Sequence, residues 1–261
     1  MKYEKNIVFN HGLAWKRYPL SFSNKFRMWY NFLIPRILKE AHLIFVVSQF
    51  NKEELIEEFK IEENKIKILY PGISEKFKFM NLKRENFILY VGNIQPYKNL
   101  KNLFKAFQIL RRNGREIELW IVGIKDKRVF KNEEFREFNF QGVKFLGYKE
   151  DQELLELYNK AQSLVLPSFY ETFGFPLLEA MACGCPVIAS KIPALLEIAQ
   201  DSALFINPHK PEEIANGLEE ILDNQNLREN LIQKGFKRVE KFRWNYAIKT
   251  FLTTLKDFNL L

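Results

Sequence analysis

Short apolar runs alternate with stretches in which apolar positions recur every three or four residues, and the alternation persists through most of the chain. The runs Ile7–Phe9, Leu43–Val47, Ile66–Leu69, Phe87–Val91, Glu118–Val122, Val143–Phe145, Ser163–Leu166, Pro186–Ser190 and Ala203–Ile206 predict strands. They are continuous and rich in Val, Ile, Leu and Phe, as strands covered on both faces are. Leu100, Leu103, Phe104, Phe107 and Leu110 predict a helix closed by Gly114. Leu154, Leu155 and Tyr158 mark a second helical face, and residues 226–240 and 245–257 predict two more helices. Strands alternating with helices imply parallel sheets with helices on both sides. In such sheets ligands sit at the carboxyl ends of strands, where loops enter helices. One interruption stands out: Tyr70-Pro71-Gly72 and the polar run Ser74–Asn86 place a junction near residues 72–86. The chain thus divides into residues 1–78, 79–242 and a closing segment, 243–261.

Composition narrows the class. Of 261 residues, 47% are apolar and 28% charged, which excludes a disordered or collagenous chain. No stretch supplies the roughly 18–20 apolar residues of a spanning helix, and the opening MKYEKNIVFNHG does not read as a signal peptide. Cys183 and Cys185 build no disulfide framework, so a reducing cytoplasm is the default. The net charge of +8 suits nucleic acid, an anionic membrane surface or a phosphate-bearing small molecule. No RRM, KH or helix-turn-helix pattern supports nucleic acid, which is not expected as a partner. The charge is uneven: residues 1–50 hold eight Lys and Arg, including Lys2, against Glu4 and Glu40. Within Trp15–Arg36 the basic residues Lys16, Arg17, Lys25, Arg27 and Arg36 interleave with aromatics, and acidic residues are absent. Two readings stay open for this segment: a helix packed on a short sheet, or a face for an anionic membrane.

The stretch Pro167–Ser190, PSFYETFGFPLLEAMACGCPVIAS, is the richest in chemistry. A strand ends at Pro167, a loop carries Glu171 to Phe175, and a helix begins at Pro176, a residue suited to a first helical turn. The amides around Gly174 then point out of a helix N-terminus, a ready phosphate site. Alone, Glu179 only favours the helix dipole and Glu171 is a solvated loop residue; together they can border one cleft. His42 and His209 read as structural, and Cys183 and Cys185 as packing the helix end. No metal-ligand cluster, GxGxxG, Walker or nucleophilic-serine motif occurs.

Glu171 and Glu179, with seven residues between them in ETFGFPLLEAMACGCPVIAS, resemble the signature of the family-four retaining glycosyltransferases of GT-B fold. FILYVGNIQPYKNL, FLGYKEDQELLELYNKA, FNHGLAWKRYP and AHLIFVVSQFNKEEL are similar to further blocks of that family, in order. The resemblance implies an α/β GT-B-like fold, with a complete C-terminal Rossmann-like donor domain (79–242), a partial N-terminal Rossmann-like domain on the acceptor side (1–78), and a C-terminal helix returning to it. It implies that Glu179 accepts hydrogen bonds from the nucleotide ribose, that Glu171 approaches the donor sugar, and that Thr172 and the amides of Phe173, Gly174 and Phe175 face sugar or phosphate. Lys98 would neutralise the diphosphate as a compact point charge. Gly147 and Tyr148 would line the base pocket, and His11 would face the reacting sugar. After Val91-Gly92, where the family often carries an arginine shortly afterwards, this chain has Asn93, so one phosphate partner is missing or moved.

The implied activity moves a sugar from a UDP- or GDP-sugar to a glycan or lipid-linked acceptor, with retention, without metal or cofactor, in the cytoplasm or at the inner face of the membrane. No Gly-rich loop precedes Ile7–Phe9, and only about 75 residues stand before the junction, against roughly 150 for a self-sufficient domain. This predicts an abbreviated acceptor side, one completed by a second chain, or a chain that is itself a shortened product. The alternative is a donor-binding module, or half of a split enzyme, without activity of its own; a sugar-nucleotide epimerase of related architecture stands within the enzyme class.

Overall fold

A computed structural model of the chain describes residues 5–123 and 138–261, so Lys2 and Glu4 lie outside the described residues. The first sheet is formed by β1 (Ile7–Asn10), β2 (Leu43–Val46) and β3 (Ile66–Ile68), all parallel, in the order β1-β2-β3. Its connections carry α1 (Ala14–Arg17), α2 (Asn24–Glu40) and α3 (Gln49–Phe59). The second sheet holds β4 (Phe87–Val91), β5 (Glu118–Val122), β6 (Val143–Gly147), β7 (Ser163–Leu166), β8 (Val187–Ser190) and β9 (Leu204–Ile206). Its order, β6-β5-β4-β7-β8-β9, is parallel throughout and reverses direction between β4 and β7. That is the doubly wound arrangement, and its crevice opens at the carboxyl ends of those two strands.

The observed elements fall within a few residues of the expected ones, with the terminal residues redrawn. Gly174 caps the helix after β7, so it begins at Phe175 and not at Pro176. β6 runs on to Gly147, beyond Phe145, because it pairs with β5 as far as Val122. Burial follows strand position: the side chains of β7 and β8 are fully covered, while β6 at the edge is half exposed. The helix α4 (Leu100–Arg112) buries Leu100, Leu103, Phe104, Phe107 and Leu110. It packs on α8 (Pro211–Asp223), which buries Ile214, Leu218 and Ile221. On the other face lie α5 (Asp151–Lys160) and α6 (Phe175–Ala182), with α9 (Gln225–Val239) packed on α6. The remaining helices are α7 (Pro193–Ala199) and α10 (Trp244–Asp257).

The stretch between the sheets is anchored despite its polarity. Ile73 and Phe77 are buried in the second core, the Met80 amide donates to Asn159 Oδ1 at 2.7 Å, and Arg84 donates to the carbonyls of Ala161 and Gly184. The crossing itself is tight. At Gly72 a Cβ would fall 2.5 Å from the Trp244 nitrogen, and the Ile73 amide donates to the Phe242 carbonyl at 2.9 Å.

α10 lies on the first sheet. Phe251 stacks near Phe45 and Phe9, with ring centroids 5.3 and 5.9 Å apart, and Leu255 is buried beside Leu43 and Phe45. On the other side α2 covers the sheet with Leu38 and, partly, Phe26 and Ile34. Its outer side carries Met28, Trp29, Phe32, Leu33 and Ile37, all exposed. Two of the basic residues expected at a membrane face point elsewhere: Lys16 pairs with Glu58, and Arg17 with Glu54 at 3.0 Å.

Removal of residues 244–261 uncovers Leu43 and Phe45. The truncated protein is therefore expected to melt at lower temperature and to bind a hydrophobic dye, read by differential scanning fluorimetry and dye titration; unchanged melting without dye binding contradicts the docking of α10.

Candidate active site

The crevice between β4 and β7 is built by two loops. After β4 the chain passes Gly92 and the exposed Asn93, then makes a single tight turn, Pro96–Lys98. Asn99 ends it in the left-handed region at φ 61°, a conformation asparagine tolerates better than most residues. The amide of its buried side chain donates to the carbonyls of Pro167 and Pro208, at 2.8 and 2.7 Å. The Phe169 amide donates to the Tyr97 carbonyl at 2.8 Å. These bonds sew the loop after β4 to the loop after β7.

The sewing brings Lys98 and Glu171 together. Lys98 Nζ donates to Glu171 Oε1 at 2.6 Å, and Ser168 Oγ donates to the same oxygen at 3.0 Å. The side chains are 18% and 13% exposed, which excludes Glu171 as a solvated loop residue. Lys98, expected to meet a phosphate, meets a carboxylate here. Two of its three ammonium hydrogens remain to face an anion, and Glu171 Oε2 has no partner among the described residues.

Beyond Glu171 the backbone turns into α6 through Gly174, at φ 92°, where a Cβ would come 2.8 Å from Leu195 Cδ2. Among the described residues the amides of Phe173, Gly174 and Phe175 donate to nothing. They form the positive end of the α6 dipole and can bind an anion. The Phe173 ring is buried, 5.7 Å from Phe242, while Phe175 is exposed.

Glu179 lies in the second turn of α6, largely covered. Tyr158 of α5 donates to its Oε2 at 2.9 Å, leaving Oε1 without a partner among the described residues. Burial raises the Glu179 carboxyl above its ordinary value, against the lowering effect of Tyr158, and burial likewise raises the Tyr158 phenol. α5 follows Gly147, at φ 72°, and Tyr148, which is 68% exposed at the carboxyl end of β6. Gly147 and Tyr148 therefore sit at the rim, near the start of the helix that carries the partner of Glu179.

The first sheet meets this site through His11-Gly12-Leu13, just beyond β1. The His11 ring is exposed; its carbonyl accepts from Thr172 Oγ1 at 2.9 Å. Gly12, at φ 112°, lies so close that a Cβ would be 2.1 Å from Thr172 Cγ2. The Leu13 amide donates to Tyr170 Oη at 2.8 Å, and that hydroxyl donates to Glu54 Oε2 at 2.7 Å. Arg17 Nε donates to the other oxygen of Glu54, which is 1% exposed. Burial raises the Glu54 carboxyl, opposed by Tyr170 and Arg17, and raises the Tyr170 phenol. A second seam uses Glu197 of α7. It accepts from the amides of Gln49 and Phe50, at the N-terminus of α3, and from Tyr70 Oη at 2.8 Å. Burial and that carboxylate push the Tyr70 phenol up to about 12.

Sequence reasoning missed Tyr170, Glu54, Glu197, Tyr158 and Asn99. A trace of Glu54 was present: Asn51, Glu54 and Leu55 share the buried face of α3 at helical spacing, and a carboxylate there needs a partner. Among the described residues no group of three or more His, Cys, Asp or Glu could hold a metal ion, and no helix is long and apolar enough to cross a membrane.

The raised Glu179 carboxyl makes stability depend on pH. The folded state holds its proton above the ordinary value of 4.5, so the associated stability is whole below that value and lost as pH rises through the folded-state pKa. Glu179→Gln removes this loss and keeps an acceptor for Tyr158. The melting temperature of the variant minus that of wild type is expected to grow more positive from about pH 4 to about pH 7; a flat or falling difference contradicts the assignment.

Comparison with known proteins agrees with this architecture. The family Glycosyl transferases group 1 matches residues 72–238, and Glycosyltransferase Family 4 matches residues 5–77. O-antigen chain mannosyltransferase B of Escherichia coli is 30% identical over 223 residues, covering 79% of this chain and 58% of that protein. An uncharacterized glycosyltransferase of Methanocaldococcus jannaschii is 31% identical over 237 residues, covering 83% and 60%. The chain thus spans about three fifths of these relatives' length. Sucrose-phosphate synthase from Thermosynechococcus elongatus superposes with a TM-score of 0.79 at 25% identity, over 98% of this chain and 68% of that one. The Anabaena protein HepE, solved with UDP and glucose, shares the fold at a TM-score of 0.79 and 18% identity, over 96% and 71%. The family match runs through both sheets and the crevice between β4 and β7, and the chain belongs to the group 1 glycosyltransferases of GT-B fold.

Proposed function

We propose that the chain binds a UDP- or GDP-sugar in the crevice above β4 and β7 and transfers the sugar to a glycan or lipid-linked acceptor, with retention and without a divalent metal. The observation that carries this reading is the convergence of Lys98, Glu171 and the unbonded amides of Phe173–Phe175 at the topological switch point. The diphosphate lies against those amides and the free hydrogens of Lys98. Glu179 Oε1 accepts from the ribose, Gly147 and Tyr148 border the base beyond Gly92 and Asn93, and Glu171 Oε2 accepts from a sugar hydroxyl. The bond from the anomeric carbon to the diphosphate oxygen breaks as the acceptor oxygen bonds to the same face. The acceptor proton passes to the departing diphosphate, and its charge is met by Lys98 and the α6 dipole. His11 stands on the acceptor side. The mannosyltransferase among the relatives supports a hexose as the transferred group.

A second reading keeps donor binding but leaves the acceptor side to be completed by a further polypeptide. It is favoured by the three-stranded first sheet, whose edge strand β1 exposes Ile7 and Phe9. Release of nucleotide only after addition of that polypeptide would select it.

The acceptor side also suits a membrane surface. Trp29, Phe32, Leu33 and Ile37 form an exposed apolar stripe on α2, flanked by exposed Lys25, Arg36 and Lys39, and Leu20, in the turn that precedes α2, is 93% exposed. This arrangement fits an interfacial helix on anionic lipid.

Thermal shift and calorimetry with UDP, GDP and the free nucleosides test the site. Lys98→Ala is expected to weaken the diphosphates about tenfold or more and to spare the nucleosides, as loss of a charged partner does; Glu179→Ala weakens both, and unchanged affinity in both variants overturns the assignment. Sugar transfer is expected to persist in chelator, and activity lost there and restored by magnesium or manganese contradicts metal independence. Sedimentation with anionic but not neutral vesicles, reduced by salt and by Lys25→Glu with Arg36→Glu, is the expected mark of the α2 surface; protein left in the supernatant at low salt removes it.

A further inference from the structure

We infer that Tyr170 is a positioning residue, which sets the place of Glu171 by locking its loop to Glu54, a buried carboxylate on α3 beside the first sheet. The inference rests on reading the crevice as a nucleotide-sugar site, and it adds a residue from outside that crevice.

The Tyr170 hydroxyl both accepts and donates. It accepts from the Leu13 amide at 2.8 Å and donates to Glu54 Oε2 at 2.7 Å, which fixes both its position and its rotor. Its ring is wedged among Tyr18, Phe50 and Tyr97, at centroid distances of 5.9, 5.8 and 6.3 Å. Glu54 is held in turn by Arg17 Nε at 3.0 Å and is 1% exposed. The neighbouring residues are bound as well: the Phe169 amide to the Tyr97 carbonyl, and Thr172 Oγ1 to the His11 carbonyl. Glu171 is thus the one residue of the 169–172 loop whose side chain faces Lys98, and its flanks are fixed by contacts that include both sheets.

A charge buried at such a place is costly. Apolar residues of similar volume often stabilise a core as well or better. What an ionic network adds is geometry: the Tyr170 hydroxyl is tied at once to Glu54 and to the Leu13 amide. A carboxylate placed near a reacting centre gains from such fixing, since small displacements cost rate more than binding.

The test compares wild type with Tyr170→Phe, Glu54→Gln and the double variant, in the full chain. Tyr170→Phe keeps the ring packing and removes only the hydroxyl. Amide hydrogen exchange across residues 168–175 and at Leu13 is expected to rise about fivefold or more in Tyr170→Phe, as local opening becomes easier. With UDP-glucose or GDP-mannose, kcat for nucleotide release is expected to fall about tenfold, while calorimetric affinity for UDP or GDP stays within about twofold. The double variant is expected to lose no more than Tyr170→Phe, because both changes break one network. Exchange and kcat both unchanged in a folded Tyr170→Phe variant overturn the inference, as does a loss confined to nucleotide affinity. A wild-type chain that binds neither nucleotide refutes the donor reading instead, and the exchange measurement then decides the role of Tyr170 by itself.

Discussion

The ion pair between Lys98 and Glu171, 2.6 Å long and mostly covered, stands where the strand order of the second sheet reverses. Everything around it serves to bring these two loops together. β4 and β7 are hydrogen-bonded neighbours whose following loops run to opposite sides, so the space above them is left open by topology. Asn99 closes that space from one side by bonding to the carbonyls of Pro167 and Pro208, and Gly174 turns the chain into α6 on the other. The pair is weak evidence for stability, because desolvation offsets much of the attraction. Its consequence is electrostatic: a lysine with hydrogens to spare and a helix N-terminus form a positive floor beside a carboxylate wall.

The same loop joins the two sheets. Thr172 touches His11 and Gly12, Tyr170 reaches Glu54, and Glu197 caps α3 from the far side. Two of these seams set a carboxylate against amides or hydroxyls and the third a hydroxyl against a backbone carbonyl, so each is directional as well as cohesive. Apolar area contributes separately, where α10 covers Phe45 and Leu43. The first sheet is therefore held to the second by α10 on one face and by polar contacts at the site.

The fold was largely legible in the sequence because its signals are local. Continuous apolar runs such as Leu43–Val46 and Ser163–Leu166 are too short for buried helices and read as covered strands, while the Leu100 to Leu110 spacing follows the helical period. The loop of Glu171 and the helix of Glu179 were legible for the same reason, since Gly174 and Pro176 punctuate the chain. The partners were not. Nothing near Lys98 in sequence signals that its ammonium meets Glu171, 73 residues away. Tyr170 and Glu54 stand 116 residues apart, and each looks ordinary in its own element. Lys16 and Arg17 read as surface cations until α3 brings Glu58 and Glu54 beneath them. Element ends moved where tertiary pairing extended a strand, as at Gly147, or where a glycine set the cap, as at Gly174.

The central claim is that the crevice above β4 and β7 is an anion site made by Lys98 and the α6 N-terminus. A crystal structure of the chain grown with UDP or GDP tests it most directly. The account predicts the diphosphate against the amides of Phe173, Gly174 and Phe175, with Lys98 Nζ in hydrogen-bond contact and the ribose on Glu179. A nucleotide seated elsewhere, or lying in the crevice with its phosphates turned away from α6 and Lys98, would contradict it.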